Sequence, residues 1–171
     1  MTKPDRTLLE DVVAPKVLVA LRLASEALSA AKVRHVVVGG LAVGANGYPR
    51  ATKDVDFLVG GEAFEHHANG LVTLRPGLPF QVNGVAVDFL SPEPDEPFLE
   101  AALAGAPGSM IDAGPLVYMK LKASRLKDRV DVVELIKASL DIEACRAYLA
   151  THAPQLVAGY DDCVALAVAE Q

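Results

Sequence analysis

Val38-Gly-Gly-Leu-Ala-Val-Gly-Ala-Asn-Gly-Tyr-Pro-Arg-Ala-Thr-Lys-Asp-Val-Asp-Phe-Leu-Val59 decides how the rest of the chain is read. It opens at the end of a β-branched run, Arg34 to Val38, which is too short for a helix and stops at Gly39-Gly40. Leu41 to Ala45 reads as a short helix closed by the turn pair Asn46-Gly47. Asp54 to Val59 then reads as a second strand, ending at Gly60-Gly61. Side chains at i and i+2 of a strand share a face, so Asp54 and Asp56 stand together, roughly 6–7 Å apart at Cα. Two carboxylates so placed suit a hard divalent cation, and without one their repulsion costs stability. A strand that ends in two glycines and opens into a helix lets backbone N–H groups approach phosphate oxygens closely.

Working outward, Leu8 to Ala31 predicts a helix interrupted or restarted at Pro15. Glu62 to Asn69 predicts a helix stopped by Gly70. Asn83-Gly84 between Phe80–Val82 and Val85–Leu90 is the residue pair favoured by a two-residue hairpin. Asp88 sits in that otherwise apolar second strand, where an acid needs a reason. If its strand lies beside Asp54-Val-Asp56, three carboxylates meet at one edge of the sheet, an arrangement able to hold metal ions and activate a hydroxyl. Otherwise Asp88 merely caps the loop from Ser91 to Pro97.

A Pro-rich acidic loop, Ser91 to Pro97, leads to a short helix around Phe98–Leu103. Beyond Pro115 the pattern is helical. Leu116, Met119, Ala123, Leu126, Val130 and Val133 recur at three- and four-residue steps and form one apolar stripe. Within it, Lys120, Lys122, Arg125, Lys127 and Arg129 fall close together in a chain of net charge −6. On a continuous helix Lys120 and Lys127 share a face. Asp128 and Asp131 instead fit an N-cap and third-residue pair that starts a new helix there. Two further helices are expected from Asp141 to Leu149 and from Pro154 to Glu170. The fold class is therefore α+β: a small mixed sheet with flanking helices, then a helical second half. One domain accounts for all 171 residues, with a helical segment over 1–33, the sheet core over 34–90 and a helical part over 98–171.

Composition narrows function further. Hydrophobic residues reach 51%, enough for a buried core. Cys145 and Cys163 form neither a disulfide framework nor a zinc site with the four histidines, so a reducing cytoplasm is the expected location. The polar N-terminus carries no signal peptide pattern, and no apolar run is long enough to span a membrane. An acidic balance argues against broad, nonspecific binding to a nucleic-acid backbone.

The glycine pair, the Asp54-Val-Asp56 strand and the later Asp88 occur in an order that resembles the nucleotidyltransferase superfamily with the polymerase-β-like palm. Val37-Val-Gly-Gly-Leu-Ala42 and Tyr48-Pro-Arg-Ala-Thr-Lys-Asp-Val-Asp-Phe-Leu-Val59 resemble the bacterial AbiEii-like abortive-infection group, often the toxin of a toxin–antitoxin pair. The Lys/Arg-rich helical segment of that group is matched by Met119 to Leu135. The resemblance implies Asp54, Asp56 and Asp88 as catalytic metal ligands and Mg²⁺ as the cofactor. It implies a nucleoside triphosphate cradled by Gly39 and Gly40 and reached by Lys120 or Lys122, Arg125 and Lys127. Arg50 and Thr52 lie between the two motifs as further nucleotide-binding candidates. Arg50 could instead orient the Asp54 carboxylate or simply close the loop, and Thr52 could be only a turn hydroxyl. Gly40 departs from the superfamily pattern, where serine often follows the first glycine.

Transfer of a nucleotide to a tRNA end or protein side chain follows from the resemblance, with a cognate antitoxin as a partner. A small-molecule acceptor, as in antibiotic-modifying relatives, is an alternative, and so is a noncatalytic binding protein of the same fold. The remaining polar residues carry less. His66-His67 reads as a solvated pair, His35 and His152 show no partner, and Tyr118 and Met119 read as core.

Overall fold

The computed structural model describes residues 3–171; Met1 and Thr2, the start of the expected N-terminal segment, lie outside the described residues. A one-turn 3-10 helix at Arg6–Leu9 begins with the Asp5 side chain accepting from the Thr7 N–H. Helix α1 (Pro15–Ala30) starts at the proline, whose missing N–H costs nothing at a first helical position. Strand β1 (His35–Val38) follows, then α2 (Gly39–Ala45) and β2 (Val55–Val59). Strands β3 (Phe64–His66), β4 (Val72–Leu74), β5 (Gln81–Val82) and β6 (Val85–Leu90) follow, and Met110 adds a single parallel bridge to Val37. The second half comprises α3 (Pro97–Ala102), α4 (Ala113–Ala123), α5 (Leu126–Lys137), α6 (Ile142–His152) and α7 (Val157–Ala169).

The principal sheet has the order β1-β2-β6-β5, and β3 and β4 form a separate two-stranded ribbon. β1 runs antiparallel to β2, β2 parallel to β6, and β6 antiparallel to β5, so the sheet is mixed. The β5–β6 turn is built by Asn83 (φ 50°) and Gly84 (φ 78°), the paired left-handed conformations that a tight hairpin requires. On one face Val55, Phe57 and Val87 are buried, and α1 packs against β2, β5 and β6. The opposite face carries Asp56 and Asp88 and looks toward the helical half. The fold is α+β with a small mixed sheet and a helical C-terminal half, and no described helix is long and apolar enough to cross a membrane.

Three local expectations fail. The segment Glu62 to Asn69 is not a helix: Gly61–Ala63 makes one 3-10 turn and Phe64–His66 pairs with Val72–Leu74. The chain reverses through Gly70 at φ 82°, with the His67 N–H donating to the Leu71 carbonyl. Gly70 thus serves a hairpin rather than a helix end. The apolar stripe from Leu116 to Val133 is likewise divided, because Ser124 adopts a left-handed conformation (φ 58°) and ends α4. In consequence Leu126 is 82% exposed instead of continuing the stripe. Lys120 and Lys127 therefore do not share one helix face. Finally, the new helix starts at Leu126, not at Asp128, and Asp128 caps nothing.

Candidate functional site

Strand β2 sets the geometry of the candidate site. Asp56 is the register partner of Val38 on one side and of Asp88 on the other. In adjacent strands such partners carry side chains on the same face, so Asp56 and Asp88 stand side by side. Asp54 precedes the first residue of β2 and lies in the same cleft. The strand was expected to begin at Asp54; it begins at Val55, leaving Asp54 as an exposed lead-in.

Gly39 completes this corner. Its φ of 65° is left-handed, and a Cβ added there would lie 2.0 Å from Oδ2 of Asp56. The position needs glycine both for its backbone and for the carboxylate pressed against it. Gly40 is buried behind the turn. A Cβ on it would come within 2.9 Å of the Thr52 hydroxyl and 3.4 Å of Nη1 of Arg50. Gly40 therefore packs closely against the loop that carries both residues to Asp54.

The three carboxylates differ from the other acids around them. None of Asp54, Asp56 and Asp88 accepts a hydrogen bond or ion pair from a described residue. Burial lifts the Asp56 carboxyl above its ordinary value, and the neighbouring charges of Asp88 and Asp54 lift it further. Lys120 and Lys127 offset part of that rise from a distance. Among the described residues, no three His, Cys, Asp or Glu side chains form a ready-made ligand set. Hard oxygen donors, mutually repelling and unpaired, still fit Mg²⁺, which takes one or two carboxylates and completes its octahedron with waters and phosphate oxygens.

The cleft beside these acids has a volume of about 670 Å³. Gly39, Gly40, Arg50, Thr52, Lys120, Lys122, Arg125 and Lys127 all border it. The expected cations are thus gathered at one cavity, but most are already engaged. Arg50 does not touch Asp54; its Nε and Nη2 each donate to Asp131 at 2.8 Å. The Lys120 ammonium donates to Asp131 at 2.7 Å and to Asp128 at 3.0 Å. Arg125 donates to Asp128 from Nε at 2.6 Å. Burial alone would raise the Asp128 carboxyl, but Arg125 and Lys120 outweigh it and hold it below the ordinary value.

Lys122 points to the other wall, where its ammonium donates to Glu96 at 2.6 Å. Glu96 is 3% exposed and also accepts from the Tyr118 hydroxyl at 2.5 Å and from the Glu93 N–H at 2.8 Å. These bonds pin the Pro-rich loop 91–97 onto α4. Lys127, exposed at the start of α5, makes no hydrogen bond or ion pair with a described residue.

The sequence did not reveal Asp128 and Glu96 as cleft residues, nor Asp131 as the acid behind Arg50 and Lys120. The signal available for Asp128 and Asp131 was the Lys-Asp-x-x-Asp spacing, which places both acids on one helix face at i and i+3. Nothing local marks Glu96. His35, which showed no partner in the sequence, is buried between Ser25 (Oγ to Nε2, 2.7 Å) and the Val33 carbonyl (2.8 Å to Nδ1). Its ring lies edge-on to Phe57 on the face away from the acids.

No protein-family model matches the chain, and no curated protein matches it. Among solved structures it is similar to an antigenic nucleotidyltransferase-like protein from Paracoccidioides brasiliensis. The identity is 14%, over 88% of this chain and 94% of that chain, with a TM-score of 0.47.

Proposed function

We propose that the cleft binds a Mg²⁺–nucleoside triphosphate and transfers its nucleotidyl group to an acceptor hydroxyl. The observation that carries this reading is the register pairing of Asp56 with Asp88 beside the Gly39 turn, with Asp54 two residues ahead. The order of these motifs in the sequence, and its resemblance to nucleotidyltransferases of the AbiEii-like group, support the same chemistry. Asp54, Asp56 and Asp88 are the residues that would hold Mg²⁺. The ion supplies charge neutralisation at the phosphate oxygens when bound.

Each remaining step falls to the chain's own groups. Asp88 is exposed beside Asp56, so it can accept the proton of an acceptor hydroxyl. The acceptor oxygen then forms a bond to the α-phosphorus, the α–β bridge bond breaks, and pyrophosphate leaves with the electron pair. The Gly39 turn admits phosphate close to the backbone, and Lys127 offers an unengaged positive charge at the cleft. A tRNA end or a protein side chain is the acceptor class implied by the resemblance, with a toxin role and an antitoxin partner attached to it.

Pyrophosphate release, measured with Mg²⁺ and each of the four nucleotides, tests the proposal. Wild type is expected to turn over at least one nucleotide, and Asp56→Ala to lose on the order of 1,000-fold or more in kcat. Equal rates for the two proteins would sink it.

A further inference from the structure

The carboxylates of α5 suggest a second layer behind the cleft. Asp128 is fully buried and Asp131 is 2% exposed, yet both are charged partners rather than core errors. One helical turn apart, they gather three cations from three different segments: Lys120 from α4, Arg125 from the α4–α5 break and Arg50 from the loop leading to Asp54. Two carboxylates against three cations leave one positive charge over. Without Asp131, Arg50 would lose both of its bonds to α5 and Lys120 the shorter of its two, leaving an ammonium held by Asp128 alone beside an unpaired guanidinium.

The donors that remain are informative. Arg50 spends Nε and Nη2 on Asp131, while its Nη1 lies toward Gly40. Lys120 has three N–H donors, spends two on the acids and borders the cleft. Each cation is thus bonded to α5, borders the cleft and keeps donors uncommitted.

We propose that Asp131, seconded by Asp128, is a positioning residue that fixes the Lys120 ammonium and the Arg50 guanidinium at the cleft so that their remaining donors meet the substrate's phosphates. This rests on the nucleotidyl-transfer reading above. Asp131 touches no substrate and acts through Lys120 and Arg50. A residue placed only for stability would weaken folding and leave the balance between KM and kcat unchanged.

The experiment is a double-mutant cycle on pyrophosphate release, using wild type, Asp131→Asn, Lys120→Met and the double variant. Losing one charge-assisted contact is worth about ten- to a hundredfold, so each single change is expected to raise KM for the nucleotide by about tenfold or more. The double variant is expected to lose less than the product of the two single losses, because the part of Asp131's effect that runs through that ammonium is already gone and only the Arg50 part remains. Multiplying losses, or an unchanged KM in a folded Asp131→Asn protein, overturn the proposal.

A second measurement needs no turnover. Amine labelling with acetic anhydride, read by mass spectrometry well below the melting temperature, compares Lys120 with Lys127. Lys120 should label far more slowly in wild type and lose that protection in Asp131→Asn. Equal labelling in wild type overturns the positioning role by itself. Protection of Lys120 in a protein that binds no Mg²⁺–nucleotide would show that the nucleotidyl-transfer reading has failed, and the positioning role with it.

Discussion

Two sets of acids lie on and behind the cleft, and they are handled in opposite ways. Asp128 and Asp131 are buried and receive five hydrogen bonds longer than 2.5 Å and shorter than 3.1 Å from Lys120, Arg50 and Arg125. Asp54, Asp56 and Asp88 receive none from any described residue, although Asp56 is only partly exposed. A protein that can bring three cations to two acids does not lack the means to neutralise the others. Under the proposed reading, the difference is that the charge on β2 and β6 is kept for a bound cation, whereas that on α5 is spent inside the chain. The paired set is a finished structural element; the unpaired set is the one on which the proposed function rests.

The largest effect should come from breaking the finished set. Removing one member of a buried ion pair strands its partner and costs about 3–5 kcal/mol. Asp128→Ala should therefore lower the melting temperature by roughly 6–20 °C for a domain of this size, as read by calorimetry. A shift of a degree or two would show that Asp128 is not stabilised as the geometry indicates.

The next effect lies where the unpaired set meets the backbone. Gly39→Ala must accommodate both a left-handed φ and a methyl 2.0 Å from Oδ2 of Asp56. The backbone alone costs about 1–2 kcal/mol, and the contact adds to it by pushing the carboxylate away. Combining Gly39→Ala with Asp56→Ala should recover part of the loss, since the double variant removes the carboxyl group and leaves only the Cβ of residue 56, 2.9 Å away. Equal denaturant midpoints for the single and double variants would argue against that contact.

How much of this was legible beforehand depends on how local each feature is. The hairpin at Asn83-Gly84 and the helix starting at Pro15 follow from residues that constrain their own backbone, and both are visible in the sequence. The Phe64–His66 strand is not, because its conformation is imposed by pairing with Val72–Leu74 and its own residues have no strong preference. The break at Ser124 carries no glycine or proline to announce it. Asp131 is the clearest case: its partner Arg50 is 81 positions away, so the spacing that suggested a helix cap could not reveal an ion pair. The site residues divide in the same way. The Asp54-Val-Asp56 spacing is local, whereas the neighbourhood of Asp56 and Asp88 exists only because β6 lies parallel to β2.

A smaller effect sharpens the contrast directly. Mg²⁺ alone, at ten times its dissociation constant, should stabilise wild type by about 1.4 kcal/mol through mass action. Asp56→Asn should lose that response while remaining at least as stable as wild type without the ion, because a partly buried carboxylate with like-charged neighbours is a cost. Thermal melts with and without Mg²⁺, with Ca²⁺ as a second hard cation, read both outcomes. A Mg²⁺ shift that survives in Asp56→Asn would place the ion elsewhere.

The smallest effect separates pairing from burial. Glu62 is also fully paired, through bidentate bonds from Arg34 at 2.9 Å, and Glu100 joins the same guanidinium. This network lies at the surface, where solvent screens it, so Glu62→Gln should cost no more than about 1 kcal/mol at neutral pH. Hydrogen bonds from Arg34 bring the Glu62 carboxyl down to about 2, against an ordinary value of 4.5. A depressed carboxyl contributes its stability above the unfolded value and loses it as pH falls toward the folded one. The small difference between wild type and Glu62→Gln should therefore be complete above about pH 5 and vanish near pH 2. A difference at neutral pH as large as that of Asp128→Ala would mean that pairing alone, without burial, sets the cost, and burial would no longer explain why the Asp128–Asp131 cluster is expensive to break.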